Sequence, residues 1–245
     1  MSPTTNDTAA PRRATDLVIT GHRGAMGVEP ENTLRSFRRA VAEGCAEVEL
    51  DLRLSADGHL VLLHDDRLTR THGVDSSVSE LTLDELRALD PDPETRIPTF
   101  AEVVEAIDIG IQAEIKDPRV CAQLTAMLDA DPDLARRTRV TSFNDAALGE
   151  VIRLRPGTPI GLITDRVAAV ADTLVERARE VTAATVMCDL ATLLPEHMAD
   201  FRAAGLAVTA WPVQDMAELR RAVDLGVDGI TTDNPHLLDP AALAG

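Results

Sequence analysis

The feature that most constrains this 245-residue chain is its alternation between two textures. Short β-type runs occur at LVITGH (17–22), AEVELDL (46–52), IGIQAEIK (109–116), RVTSF (139–143), PIGLIT (159–164), ATVMCD (184–189), AVTAW (207–211) and GITTD (229–233). Most are separated by stretches such as NTLRSFRRAVAEG, NDAALGEVIRLR and QDMAELRRAVDLG, whose apolar residues recur at helical spacing. Several of these begin with Asn, Asp or Pro and end near Gly, as helix caps require. Strand–helix alternation implies a parallel sheet covered by helices. Eight such units at this length predict an α/β fold, the TIM (β/α)8 barrel. An open doubly wound sheet is the alternative, but no G-x-G-x-x-G follows the first strand.

A ninth β-type run, HLVLLHD (59–65), lies close behind the second. Asp57-Gly58 stands between them, a tight-hairpin signal. The second strand is therefore expected to rise above the barrel, turn and return antiparallel. A small insertion follows between the second and third barrel strands, so that hairpin and insertion occupy about 56–98. TLDELRAL is its one short helix. Residues 1–15 read as a disordered leader, and 16–245 as a single catalytic domain.

Apolar residues make up 44% of the chain but aromatics only 2%, so Leu, Val, Ile and Ala must build the core. A formal charge of −17 argues against nucleic acid and against anionic membranes as partners. No run is long enough to span a bilayer, and the N-terminus has no apolar signal region; no stable membrane anchor is expected. Cys45, Cys121 and Cys188 are odd in number and scattered in apolar segments, which suits buried reduced thiols and a cytoplasmic location.

Active sites of such barrels sit at the C-terminal strand ends. There the sequence places His22 and Arg23 after strand one, Glu49 and Asp51 on strand two, Glu114 and Lys116 on strand three, and Trp211 at the end of strand seven. Glu49 and Asp51, two apart, share one strand face. A two-residue turn at 57–58 would set His64 opposite Asp51. Glu114 either pairs with Lys116 or joins the other two carboxylates. Three carboxylates at one mouth need compensation, and an all-oxygen set suits one divalent cation, Mg²⁺ or Ca²⁺, with Mn²⁺ possible, rather than zinc. His22 and His64 supply an acid/base pair, and the planar fork of Arg23 matches phosphate. Together these residues point to phosphate-ester cleavage. Trp211 reads as an apolar wall of the substrate pocket, Asp233 as a loop cap after strand eight, and His72 as a solvated loop residue.

The stretches GHRGAMGVEPENTLRSF, GCAEVELDLRLSADGHLVLLHDDRLTRT, IPTFAEV, AEIK, TSF and GVDGITTDNP resemble, in order and over nearly the whole chain, the glycerophosphodiester phosphodiesterases. The resemblance implies a barrel with a small insertion. It implies His22 and His64 as the acid/base pair, and Glu49, Asp51 and Glu114 as metal ligands. Arg23 would bind phosphate, with Lys116 a cation beside it. Glu31 and Asn32 fall in the Pro-Glu-Asn-Thr motif and are expected to support the site from behind; Asn32 is also a fitting N-cap for the first helix. The implied reaction is that of a phosphoric diester hydrolase: metal-dependent hydrolysis of a small glycerophosphodiester to sn-glycerol 3-phosphate and an alcohol. The rivals are a lysophospholipase D-type activity on lysophospholipids and a non-catalytic sensor that binds phosphodiesters. Relatives often carry Trp-Thr-Val-Asn where this chain has Trp211-Pro212-Val213-Gln214, and Arg-Thr-Thr where it has Arg70-Thr71-His72. Both departures are expected near the alcohol group.

Overall fold

A computed structural model describes residues 14–243, apart from the side chains of 168–172. Eight parallel strands form the barrel: β1 (Val18–Gly21), β2 (Glu47–Leu54), β4 (Gly110–Ile115), β5 (Thr138–Ser142), β6 (Ile160–Thr164), β7 (Thr185–Asp189), β8 (Ala207–Trp211) and β9 (Gly229–Thr232). The order runs β1-β9-β8-β7-β6-β5-β4-β2, and pairing of β1 with β2 closes the ring. The short β3 (Leu60–Leu62) adds antiparallel to β2. The sheet is therefore the TIM barrel that the alternation predicts. Every expected barrel strand is present.

Helices α1 (Leu34–Ala42), α4 (Phe100–Ala106), α5 (Cys121–Ala130), α6 (Pro132–Arg137), α7 (Asp145–Leu154), α8 (Val167–Glu180), α9 (Pro195–Ala203) and α10 (Met216–Leu225) surround the barrel, while α2 (Thr69–His72) and α3 (Leu83–Leu89) belong to the insertion. Leu, Val, Ile and Ala, with Phe37, Phe100 and Phe201, form the main core. A second core of Val61, Leu63, Leu68, Val78, Leu83, Leu86 and Ile97 lies under the insertion. Among the described residues no helix is long and apolar enough to cross a membrane. Residues 1–13 of the expected leader lie outside the described residues; Ala14–Asp16 form a 3-10 turn with Ala14 buried.

The hairpin differs from expectation by one residue. Leu52 pairs with Leu62 and Leu54 with Leu60, which puts Leu63, not His64, opposite Asp51; Leu63 N donates to Asp51 O at 3.1 Å. The turn is a three-residue loop, 56–58, rather than a two-residue one, because Gly58 takes the left-handed conformation at φ 84° that such loops place last. His64 would face away if the ladder continued. It does not: β3 stops at Leu62 and the chain bends over 64–66. The Arg53 guanidinium holds this bend, its NH2 donating to the His64 carbonyl at 2.7 Å and its Nε to that of Leu63 at 3.1 Å.

Candidate active site

The carboxylates converge through strand register. Asp51 pairs with Glu114 and Glu49 with Gln112, so the acidic residues of β2 and β4 enter the barrel mouth side by side. Glu49, Asp51 and Glu114 are all buried, and each offers an oxygen within 4.8 Å of the others. Glu49 Oε1 and Asp51 Oδ1 are buried without a hydrogen-bond partner. Lys116 offsets part of the charge, with Nζ 2.6 Å from Glu114 Oε1 and 3.3 Å from Asp51 Oδ1. Burial and the Asp51 charge push the Glu49 carboxyl up to about 8. Three buried carboxylates, two of them with an orphaned oxygen, fit a hard divalent cation.

Both histidines lean on an aspartate. Asp233 Oδ1 lies 2.6 Å from His22 Nδ1, and Asp65 Oδ1 lies 2.7 Å from His64 Nδ1. That occupies one ring nitrogen of each and leaves Nε2 for chemistry; His22 Nε2 stands 3.8 Å from Glu49 Oε2. Asp233 thus does not serve as the expected loop cap. Its second oxygen accepts from Gln214 Nε2 at 2.5 Å, so it is clamped from both sides. Burial pulls the His22 pKa down, but the Asp233 hydrogen bond and the Glu49 charge outweigh it and raise it above its ordinary value. For His64 burial wins over the attraction of Asp51 and Asp65, and its pKa falls.

The loop from β1 to α1 closes the site from below. Gly24 has φ 85°, and a Cβ there would collide with Ser36 of α1. Arg23 is also left-handed, at φ 49°, a strain of the kind found at functional sites. Its amide donates to Glu49 Oε2 at 3.0 Å and its NH1 to Glu31 Oε1 at 3.1 Å. Its Nε lies 3.3 Å from Asp51 Oδ2, an ion pair without hydrogen-bond alignment.

Asn32 is not the helix cap. Thr33 takes that place, its Oγ1 accepting from Ser36 N at 3.2 Å. Asn32, left-handed at φ 57°, instead donates from Nδ2 to Asp51 Oδ2 at 2.7 Å and accepts the Asp51 amide at 3.3 Å. Glu31 is gripped by Arg70 of α2, whose NH1 and NH2 reach its two oxygens at 2.6 and 2.7 Å. Arg70 Nε also donates to Asp65 at 2.6 Å. A chain Arg23–Glu31–Arg70–Asp65–His64 therefore runs round the mouth. Arg70, Asp65, Gln214 and the Asp233 contact are the parts that sequence reasoning missed. The adjacent His-Asp pair at 64–65 was the available signal for one of them.

These side chains share a cavity of about 120 Å³. His22, Arg23, Glu49, His64, Glu114, Lys116 and Trp211 all line it. Asp51, Glu31 and Asn32 do not line it, and Glu31 and Asn32 border a neighbouring cleft instead. Phe143, Ile163 and Met187 complete an apolar wall with Trp211, whose ring meets Phe143 edge-on, 5.9 Å between centroids. His72 does not reach this cavity; it lines a separate cleft with Leu89 and Asp90.

The model of the glycerophosphoryl diester phosphodiesterase family matches residues 22–237. A glycerophosphodiester phosphodiesterase of Caldanaerobacter subterraneus is 31% identical, covering 90% of this chain and 96% of that one. The crystal structure of the glycerophosphodiester phosphodiesterase of Thermotoga maritima superposes with a TM-score of 0.78 at 29% identity, covering 90% and 96% of the two chains. An Oleispira antarctica phosphodiesterase, solved in complex with the product sn-glycerol-3-phosphate, gives 0.77 at 26% identity over 91% and 96%. With its barrel, its carboxylate cluster and a match that spans nearly all of it, the chain belongs to the glycerophosphoryl diester phosphodiesterase family.

Proposed function

We propose that this chain hydrolyses small glycerophosphodiesters to sn-glycerol 3-phosphate and an alcohol. The observation that carries the reading is the pair of aspartate-backed imidazoles, His22 and His64, lining one cavity with a buried carboxylate cluster. The product bound by the Oleispira protein supports the choice of substrate.

Glu49, Asp51 and Glu114 would hold a divalent cation, Mg²⁺, Ca²⁺ or Mn²⁺, which when bound supplies Lewis-acid stabilisation of phosphoryl charge. Arg23 and Lys116 add fixed positive charge on the same side of the cavity. The two histidines are pushed in opposite directions, and pairs separated in this way divide acid and base roles. His22, backed by Asp233 and raised, is the group suited to donate a proton to the leaving alkoxide. His64, lowered, is the group suited to accept the proton of the nucleophile. Among the described residues no exposed large apolar side chain lies in the insertion to hold an acyl chain, which favours water-soluble diesters over lysophospholipids.

Chelated protein given each cation in turn, with several glycerophosphodiesters and one lysophospholipid, tests this by product identification. Release of sn-glycerol 3-phosphate is expected, and His22→Ala and His64→Ala should each lower kcat roughly 10²–10⁴-fold. Preferential cleavage of the lysophospholipid would move the substrate class. Binding of diesters without product would make the protein a sensor.

A further inference from the structure

His22 takes its orientation from Asp233, and Asp233 in turn from a residue outside the cavity. A carboxylate held by one oxygen can still turn about its Cβ–Cγ bond, where the rotamer preference is broad. Holding both oxygens fixes its plane. Asp233 Oδ1 meets His22 Nδ1 at 2.6 Å, and Oδ2 accepts from Gln214 Nε2 at 2.5 Å. The other end of the same amide is held as well, with Gln214 Oε1 accepting from Asn234 Nδ2 at 3.0 Å. An ionised carboxylate only accepts, so the Gln214 amide has one orientation in which both bonds form.

The main chain under Gln214 is fixed independently. Val213 N donates to Thr231 O at 2.9 Å, and Gln214 N donates to Glu218 Oε2 of α10 at 2.6 Å. Asn234 is pressed against the loop after β1, where Gly27 N donates to Asp233 O at 2.9 Å and a Cβ on Gly27 would lie 1.9 Å from Asn234 Oδ1. These contacts tie together the loops after β8, β9 and β1 beside His22. Gln214 lines neither the catalytic cavity nor the cleft beside His72. The departure from asparagine at this position therefore lies behind the histidine and not in the cavity wall. Its consequence is reach: from the same backbone an asparagine would end about 1.5 Å short, one carbon–carbon bond. We propose that Gln214 is a positioning residue, which locks the Asp233 carboxylate and, through it, the His22 ring with Nε2 turned towards Glu49. The weight of His22 in turnover rests on the reaction proposed above; the clamp itself does not.

Proton NMR and kinetics on the full chain with Mg²⁺ present test it together. In the wild-type protein the hydrogen-bonded His22 Nδ1 proton should give a slowly exchanging downfield signal, assigned by its loss in His22→Ala. Gln214→Leu, and Gln214→Asn through its shorter reach, should broaden or abolish that signal. Both should lower kcat about 10- to 100-fold, the cost of a misplaced group, while KM stays within about twofold. In an Asp233→Ala background Gln214→Leu should lower kcat no further, because its effect passes through the carboxylate. If the Leu variant does not fold, the Asn variant carries the readout. Variants with signal and kcat unchanged, or a full further loss in the Asp233→Ala background, would overturn the role of Gln214, as would a wild-type protein without the signal. A wild-type protein that hydrolyses no diester counts against the proposed reaction, and the His22 signal then decides the inference alone.

Discussion

Replacing Asn32 should damage the protein out of proportion to the size of the change. Its side chain is 1% exposed and joins the β1–α1 loop to Asp51 through the 2.7 Å bond to Oδ2 and the 3.3 Å bond from the Asp51 amide. A hydrogen bond to a buried charged group contributes about 1.5–3 kcal/mol. Asn32→Ala loses this and must also hold a left-handed backbone at φ 57°, at a further ~1 kcal/mol. The sum is roughly 2.5–4 kcal/mol, a fall in Tm of about 5–16 °C for a chain of this length. Asn32→Asp separates the two contributions. Aspartate tolerates the left-handed backbone and keeps the side chain's shape, but it turns the donor into a second carboxylate facing Asp51. Urea unfolding in the presence of chelator is the assay, and Asn32→Asp should lose at least as much as the hydrogen-bond share at pH 7. Cation affinity should also weaken about 10- to 100-fold, as when a partner behind a ligand is removed. An Asn32→Asp protein within about 0.5 kcal/mol of wild type, well below the hydrogen-bond share, would refute the reasoning.

Three further outcomes are expected. Asp233→Asn removes the group that raises the His22 pKa; since His22 must be protonated to act as acid, the alkaline limb of kcat/KM against pH should move to lower pH while the acid limb stays. Arg70 is half exposed, so Arg70→Ala should change stability by less than about 1 kcal/mol, yet lower kcat roughly 10- to 100-fold through misplacement of His64 and Arg23; lost stability with unchanged kcat would show a merely structural strut. Burial pushes the Cys45 and Cys188 thiols up to about 12 and the Cys121 thiol up to about 11, so iodoacetamide at pH 8 should leave the native protein unlabelled and modify all three after unfolding, counted by mass spectrometry.

The barrel was legible because each strand is a short apolar run with helical spacing on either side. Glu49, Asp51 and Glu114 were legible because period-two alternation fixes a face without reference to register. What depended on one-residue detail was not. The Asp57-Gly58 pair reads as a two-residue turn, yet Gly58 sits last in a three-residue loop, and His64 reaches the site by a bend held by the distant Arg53 side chain. Asn32 has the chemistry of a cap, and so does Thr33; burial against Asp51 decides between them. The insertion holds a second helix, the single turn α2, beside the one expected, and helices α4 and α6 were missed although Thr99 with Glu102 forms a capping box and Asp131-Pro132 a helix start, because each spans only about two turns. Asp233, held by Gln214, meets His22 from far along the chain, a contact that only closure of the ring creates.

The edge of β2 behaves as a caliper. Val48 is the last residue paired with β1, through Gly21, and Leu52 the first paired with β3, through Leu62. The two neighbours leave the ladder from opposite ends of the interval 49–51, one delivering His22 and the other His64. The span between the two imidazoles is therefore set by a few residues of extended backbone that also carry Glu49 and Asp51, together with the bend that Arg53 holds. Loops on the far side of the ring, after β5 and β8, can then change what the cavity holds without changing the gap between His22 and His64.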